Sequence, residues 1–530
     1  MALKNDAVSM PEERITFKKA PNGTEYVYYT LRAYRNKHGK PTSDEVAIGK
    51  KDKETGKLIP NKRYYEIYHV VGPSEAAKIT PCKAQSYGNV VTLMEMARAT
   101  GLLQILEQCF PDKWERILAV AFYIVCEGNI MMYIEDWFDE TQINFTERMD
   151  DVDCSSLFSS ISEEEKGNFF KKWVKHREER EYIVYDVSSI SSYSRNIDIV
   201  EWGYNRDHDK LPQMNLGMYY GITSHMPVYY NLYSGSIPDK TYLDFMMTMA
   251  KEIGIFEVCF VMDRGFVMED NLICITENKF SFITAMPGHL VNTMKLIDEN
   301  KWNVRKSANR ISEFEVYGIQ RSVEMYGIDL QAHIYYDPEK QAFDEKELYA
   351  HIEKLQAELN KISKSKRVTR KYKSYFSIDE KAPDSITYEL DTNKIDEKLE
   401  RSGFFVLISN NPNLTSGEVL KVYRDRDVIE KNFEEFKNRL DFRRMRTHWN
   451  KTTEGKMFVG FMALILRTYM RRMMQNTSQT KNLTFEKILI ELKKIRSVML
   501  ADMSVVLIPL TKLQKTILTA LGVSIEALAD

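Results

Sequence analysis

Apolar positions recur along this chain with different rhythms, and each change of rhythm marks a block. In residues 1–85 aromatic and β-branched positions alternate with polar ones, as in TEYVYYTLRAYRN, and Gly, Asn and Pro punctuate the runs. Alternation of period two with turn residues predicts a β-rich N-terminal domain. From 86 to 180 the spacing lengthens to three and four, in VVTLMEMARATGLLQILEQCF and WERILAVAFYIVCEGNIMMYIEDWF, which predicts helices. Residues 181–290 return to strands: YIVYDVSSI, GMYYGITS, PVYYNLYSG and EVCFVMD, with a helix over TYLDFMMTMAKEIG and a hairpin turn at SHMP. This succession predicts a mixed α/β layer.

Residues 291–402 interrupt that layer with polar stretches, extended segments such as DLQAHIYY, and the helix DEKELYAHIEKLQAELNKI. They are read as a β-rich insertion. The strand GFFVLISN resumes the core, which continues to residue 475, and 476–530 are helical apart from an apolar strand or buried turn at VVLIPL. The expected fold class is therefore multidomain α+β. A chain of 530 residues exceeds what one core supports, in keeping with this division.

The charge balance narrows the chemistry. The net charge is −2, so nucleic-acid affinity has to come from local patches. The densest basic run is Lys361 to Lys373, and a second group, Arg439, Arg443, Arg444 and Arg446, follows the helix discussed below. Six scattered cysteines without C-x-x-C spacing argue against a zinc site or a disulfide framework. The polar first twenty residues and the absence of a long apolar run predict a cytoplasmic protein without a membrane span.

The segment YRDRDVIEKNFEEFK, from Tyr423 to Lys437, carries the first chemical signal. On a continuous helix Tyr423, Arg426, Glu430 and Lys437 fall within an arc of roughly 60°. Val422, Ile429, Phe433, Phe436 and Leu440 form the neighbouring apolar stripe. An Arg426–Glu430 pair one turn apart also accounts for part of this pattern. Asp186 and Asp263 each follow an apolar run and are expected at or near the C-terminal ends of core strands, where a turn-capping role is the plain alternative. Taken together, Asp186, Asp263 and Glu430 describe a carboxylate triad whose repulsion protonation or a cation relieves, and a hard ion, Mg²⁺ or in its place Mn²⁺, is the natural solution. Two such ions can bracket a phosphodiester. Tyr423, Arg426 and Lys437 are then expected to bind flanking phosphates.

The spacing Tyr-x2-Arg-x3-Glu-x6-Lys resembles the YREK signature of bacterial DDE transposases of the insertion-sequence-4 superfamily. YDVSS, FVMDRGF, HDKLPQMNLGMYYGI, MPVYYNLYSGSIPDK and FVGFMALILRTYMRRMM are similar to that family as well, in the same order. VAIGKKDKETGKLIPN resembles the insertion-sequence-1634 subgroup. The resemblance implies an RNase H-like core interrupted between its second Asp and its Glu by a largely β insertion. It implies that Asp186, Asp263 and Glu430 hold two metal ions for strand cleavage at transposon ends and strand transfer into target DNA. Expected partners are double-stranded DNA, as terminal inverted repeats and target, and further copies of the chain in a dimer or larger assembly. The N-terminal β and helical blocks are expected to recognise the ends.

Several single residues have two readings. Arg264 touches DNA or pairs with a carboxylate. His208 contacts substrate or supports the site. Trp302, early in the insertion, stacks on a base or packs in a core. Ser188 and Ser189 are expected to satisfy a turn. Two other functions fit the same residues: a catalytically silent DNA-binding protein derived from a transposase, and an RNase H-like nuclease unconnected to a mobile element.

Overall fold

The computed structural model describes residues 7–36, 39–53, 55–68, 84–177, 182–205, 207, 209–256, 259–361, 370–379, 387–499 and 505–524. It divides into two compact units, Met1–Gln85 with Arg496–Ile508, and Ser86–Ile495 with Pro509–Asp530.

In the first unit four strands, Ile15–Lys19, Glu25–Arg35, Pro41–Lys51 and Leu58–Pro60, pair antiparallel in sequence order. Their alternation buries Val27, Ile48 and Leu58, against which Tyr64, Ile67 and Tyr68 of the helix Lys62–Tyr68 pack. Arg496–Met499 and Val505–Leu507 form an antiparallel hairpin in the same unit.

The second unit is built on a nine-stranded mixed sheet. Its strand order is Arg310–Ile311, Val316–Met325, Ile328–Tyr336, Phe404–Ser409, Ser281–Ala285, Cys259–Met262, Tyr182–Ser191, Gln213–Gly221 and Met226–Ser234. Tyr182–Ser191, Cys259–Met262 and Ser281–Ala285 run parallel, and the remaining pairs are antiparallel. The central strands are buried on both faces, which explains why they read as continuous apolar runs.

The segment expected as a β-rich insertion has a different make-up. Leu330, Ala332 and Ile334 are fully buried at period two, and their strand, Ile328–Tyr336, pairs with Phe404–Ser409 to extend the central sheet. Alternation identifies a strand but not its partner. Three helices also belong to the segment, Val291–Val304, Pro338–Leu359 and Thr392–Glu400. A hairpin of Phe376–Asp379 with Thr387–Leu390 accompanies them. A small separate core forms there from Ile352, Leu355, Leu359, Tyr372, Phe376 and Ile395.

One helix, Asn450–Gln475, is apolar on all sides over Met457 to Leu466, as a helix enclosed by protein must be. Phe458 meets Phe110, Phe169 and Phe170 of the preceding helices, and Phe461 meets Phe170 and Tyr230 of the sheet. A Cβ at Gly455 would lie 2.0 Å from the Phe158 carbonyl oxygen, so glycine permits the close approach of helix Asp151–Ser160. Among the described residues no single helix is long and apolar enough to cross a membrane.

Candidate active site

The register of two parallel strands sets the site. Tyr182, Ile183 and Val184 lie beside Cys259, Phe260 and Val261. Asp186 and Asp263 each follow two residues after the Val184–Val261 pair, so alternation places both on the face those valines take. Asp263 does end its strand: it follows Met262 and its carboxylate caps the turn Arg264–Phe266, accepting from the Arg264 amide at 2.7 Å. Asp186 is the exception to the expectation. It stands in the middle of a ten-residue strand, and Ser188 and Ser189 beyond it are buried strand residues rather than turn residues. Polar Asp-Val-Ser-Ser reads as a strand end in sequence. Here it continues because Gln213–Gly221 pairs with it along its whole length.

The third element departs from a continuous helix. Ser416–Asp425 ends at Arg426, Asp427–Glu434 follows, and Glu435–Arg439 forms a π-turn. The expected stripe is nevertheless buried throughout: Val422, Ile429, Phe433, Phe436 and Leu440. Thr415 caps the first helix in a capping box with Glu418. Ser416 is fastened to the sheet, with its hydroxyl 3.0 Å from His333 Nδ1 and its carbonyl accepting from Tyr335 Oη at 2.7 Å. Glu435 fixes the π-turn to the long helix by accepting from Arg467 and from Arg471, the latter at 2.9 Å. A π-turn holds more residues per turn than an α-helix, so a uniform 100° wheel misplaces whatever follows it. Lys437 stands within this π-turn. It is buried, and its ammonium donates to Asp207 at 2.6 Å.

Asp186, Asp263 and Glu430 all line one cleft of about 590 Å³, together with Tyr204, Asn215, Gly235, Ser236 and Phe433. Arg426 reaches the same carboxylates. Its Nη1 donates to Asp263 at 2.8 Å and to the Tyr423 hydroxyl at 3.0 Å, and Nη2 lies 3.6 Å from Glu430. The Arg426 side chain is only 13% exposed. Burial works to lower its pKa, but Tyr423, Asp263 and Glu430 outweigh this and hold it above its ordinary value. Burial likewise pushes the Tyr423 phenol up.

Among the described residues no three His, Cys, Asp or Glu side chains stand close enough to form a ready metal cluster. The donor set still suits a hard cation: three carboxylates open onto one cleft, and a guanidinium already supplies positive charge between two of them.

Of the other residues singled out in sequence, Arg264 is exposed beside Asp263, and Trp302 is 75% exposed on helix Val291–Val304. His208 lies outside the described residues. Arg443 and Arg444 pair with Asp209, Arg446 with Asp441 and Arg439 with Glu486. Asp207 and Asp209 were not expected to matter. The only sequence signal was their position in RDHDK, beside a stretch that resembles the transposases.

A mixed sheet thus brings carboxylates from three separate elements onto one cleft. Residues 179–466 match the family model described as the transposase DDE domain; this is more than half of the chain, and the chain belongs to that family. It is a DNA transposase, of a family that generally uses divalent metal ions. No curated protein matches the chain. Among solved structures, the piggyBac transposase synaptic complex with hairpin DNA is similar at a TM-score of 0.34 and 8% identity, over 77% of this chain and 70% of that one.

Proposed function

We propose that this chain is a cut-and-paste transposase of the insertion-sequence-4 type, of the insertion-sequence-1634-like subgroup, with an RNase H-like core. Asp186, Asp263 and Glu430 are its metal-holding residues. The observation that supports this reading is that all three line a single cleft, although they come from two strands and a helix far apart in sequence.

When bound, two Mg²⁺ ions would activate the attacking oxygen and stabilise the leaving oxygen of a phosphodiester. The protein's own part is to gather the carboxylates and to place the DNA backbone. Arg426 and Tyr423, on the rim beside Asp263, are suited to a phosphate oxygen, Arg426 by its forked donors. To engage a phosphate the guanidinium has to release Asp263 and Glu430, which leaves these carboxylates as the residues that would hold a cation. Arg264, exposed beside Asp263, adds a phosphate contact. Lys437 reaches a phosphate only if its bond to Asp207 opens; closed, it holds the loop that carries Asp207. The DNA partners are terminal inverted repeats and target DNA, bound by a dimer or larger assembly.

The test is Mg²⁺-dependent cleavage of oligonucleotides carrying the repeats that flank the gene. Wild type cleaves at the end of the element, and Asp263→Asn is expected to lose at least ~100-fold in rate. Undiminished cleavage by Asp263→Asn would remove the triad from the chemistry.

A further inference from the structure

Residues 192–212 join the Asp186 strand to Gln213–Gly221 without a helix or strand of their own among the described residues. Connections of this length are uncommon in compact domains unless they serve a function. This one is also fastened with unusual care. A Cβ at Gly203 would lie 1.8 Å from the Gly235 carbonyl oxygen, so two backbones touch there. Gln213 Nε2 donates to the Tyr204 carbonyl at 2.7 Å, and Asn205 Nδ2 to Ser191 Oγ at 3.1 Å.

The charges divide by sign. Each described acid of the loop is engaged: Asp198 with Asn450, Glu201 with Ser234 and Ser236, Asp207 with Lys437, and Asp209 with Arg444. Arg195 and Lys210 are exposed. So are three large aromatics, Tyr193 at 75%, Trp202 at 69% and Tyr204 at 75%. Asp207 and Asp209 are half-buried against the protein, whereas Asp198, Glu201 and the three rings are exposed. Tyr204 lines the same cleft as Asp186, Asp263 and Glu430, as does Gly235, on which Gly203 packs.

We infer that this loop is a stacking platform for unpaired DNA bases at the mouth of the cleft, with Trp202 and Tyr204 as the stacking residues. Exposed rings with cations alongside are the means by which proteins hold single strands regardless of sequence. Lys437 and Arg444, acting through Asp207 and Asp209, are positioning residues that keep the platform in place. The inference rests on the reading of the cleft as a DNA-cleaving centre and adds the state of the DNA it receives.

The experiment uses the full chain without divalent ions and a duplex bearing a short oligothymidylate tail with one 2-aminopurine. Binding by wild type is expected to quench the 2-aminopurine. Trp202→Ala combined with Tyr204→Ala should abolish the quench and weaken binding of the tailed duplex about tenfold, the scale of one base stacked on one ring. Binding of the blunt duplex should be unchanged, and Trp202→Phe with Tyr204→Phe should keep the quench. An equal quench in the double alanine variant, or an equal weakening toward the blunt duplex, overturns the platform. Failure of wild type to bind either duplex counts against the DNA-cleaving reading and removes the platform with it.

Discussion

Arg426 donates to Asp263 at 2.8 Å, across 163 positions of sequence, and the same guanidinium stands 3.6 Å from Glu430. A cation of the protein thus occupies the space between two carboxylates proposed to share a metal. Metal and guanidinium should compete. Arg426→Ala is expected to cost ~1 kcal/mol of stability in the absence of metal, because both carboxylates are well exposed. Added Mg²⁺ should then raise the melting temperature of the variant more than that of wild type. Thermal denaturation with and without Mg²⁺ measures both. An equal Mg²⁺ shift in the two proteins would show that Arg426 does not guard the cation position.

The Lys437–Asp207 pair is mostly enclosed, and removing one partner strands the other. Lys437→Met should destabilise the protein by about 2 kcal/mol, less than for a fully buried pair because Asp207 keeps some solvent. Asp207→Asn in the same chain should restore part of that loss. A double-mutant cycle by urea denaturation reports the coupling, and additive losses would mean that the pair contributes little.

His333 gives the protein a pH response. Burial lowers its pKa from 6.5 to about 4, and its ring faces Ser416 at the start of the helix that leads to Tyr423 and Arg426. Between these values the unfolded chain binds a proton that the folded chain does not, so stability falls as pH drops from 6.5 toward 4. The full effect is on the order of 3 kcal/mol. His333→Gln should lose less stability than wild type between about pH 7 and about pH 4.5. Identical pH profiles would exclude His333 as the source.

Gly203 is needed for contact rather than for conformation, since its neighbour across the loop is a carbonyl oxygen. Gly203→Ala forces the two backbones apart at a cost of ~1–3 kcal/mol. Because the strain is local, the expected outcome is a folded protein with faster amide exchange confined to residues near 203 and 235. Exchange mass spectrometry shows whether the disturbance stays there.

Much of the framework was readable from local pattern. Alternating or continuous apolar runs mark the strands holding Asp186 and Asp263, and the stripe from Val422 to Leu440 is the buried one. Three features were not readable, each for a physical reason. The π-turn at Glu435–Arg439 is held by Arg467 and Arg471 from another helix, so no local spacing announces it. Asp186 sits in mid-strand because a neighbouring strand runs past it. The partners of Asp207 and Asp209 lie more than two hundred positions away, where sequence periodicity carries no information.

The strand Cys259–Met262 is only four residues long and buried on both faces. Hydrophobicity therefore does not decide which of its sides turns to the cleft; only its alignment with Val184 does. Loss of one residue within it would leave an apolar strand that still fits the sheet, yet turn the carboxylate of Asp263 toward the opposite layer. A one-residue change in this short strand would therefore act on the cleft through the direction of a single carboxylate.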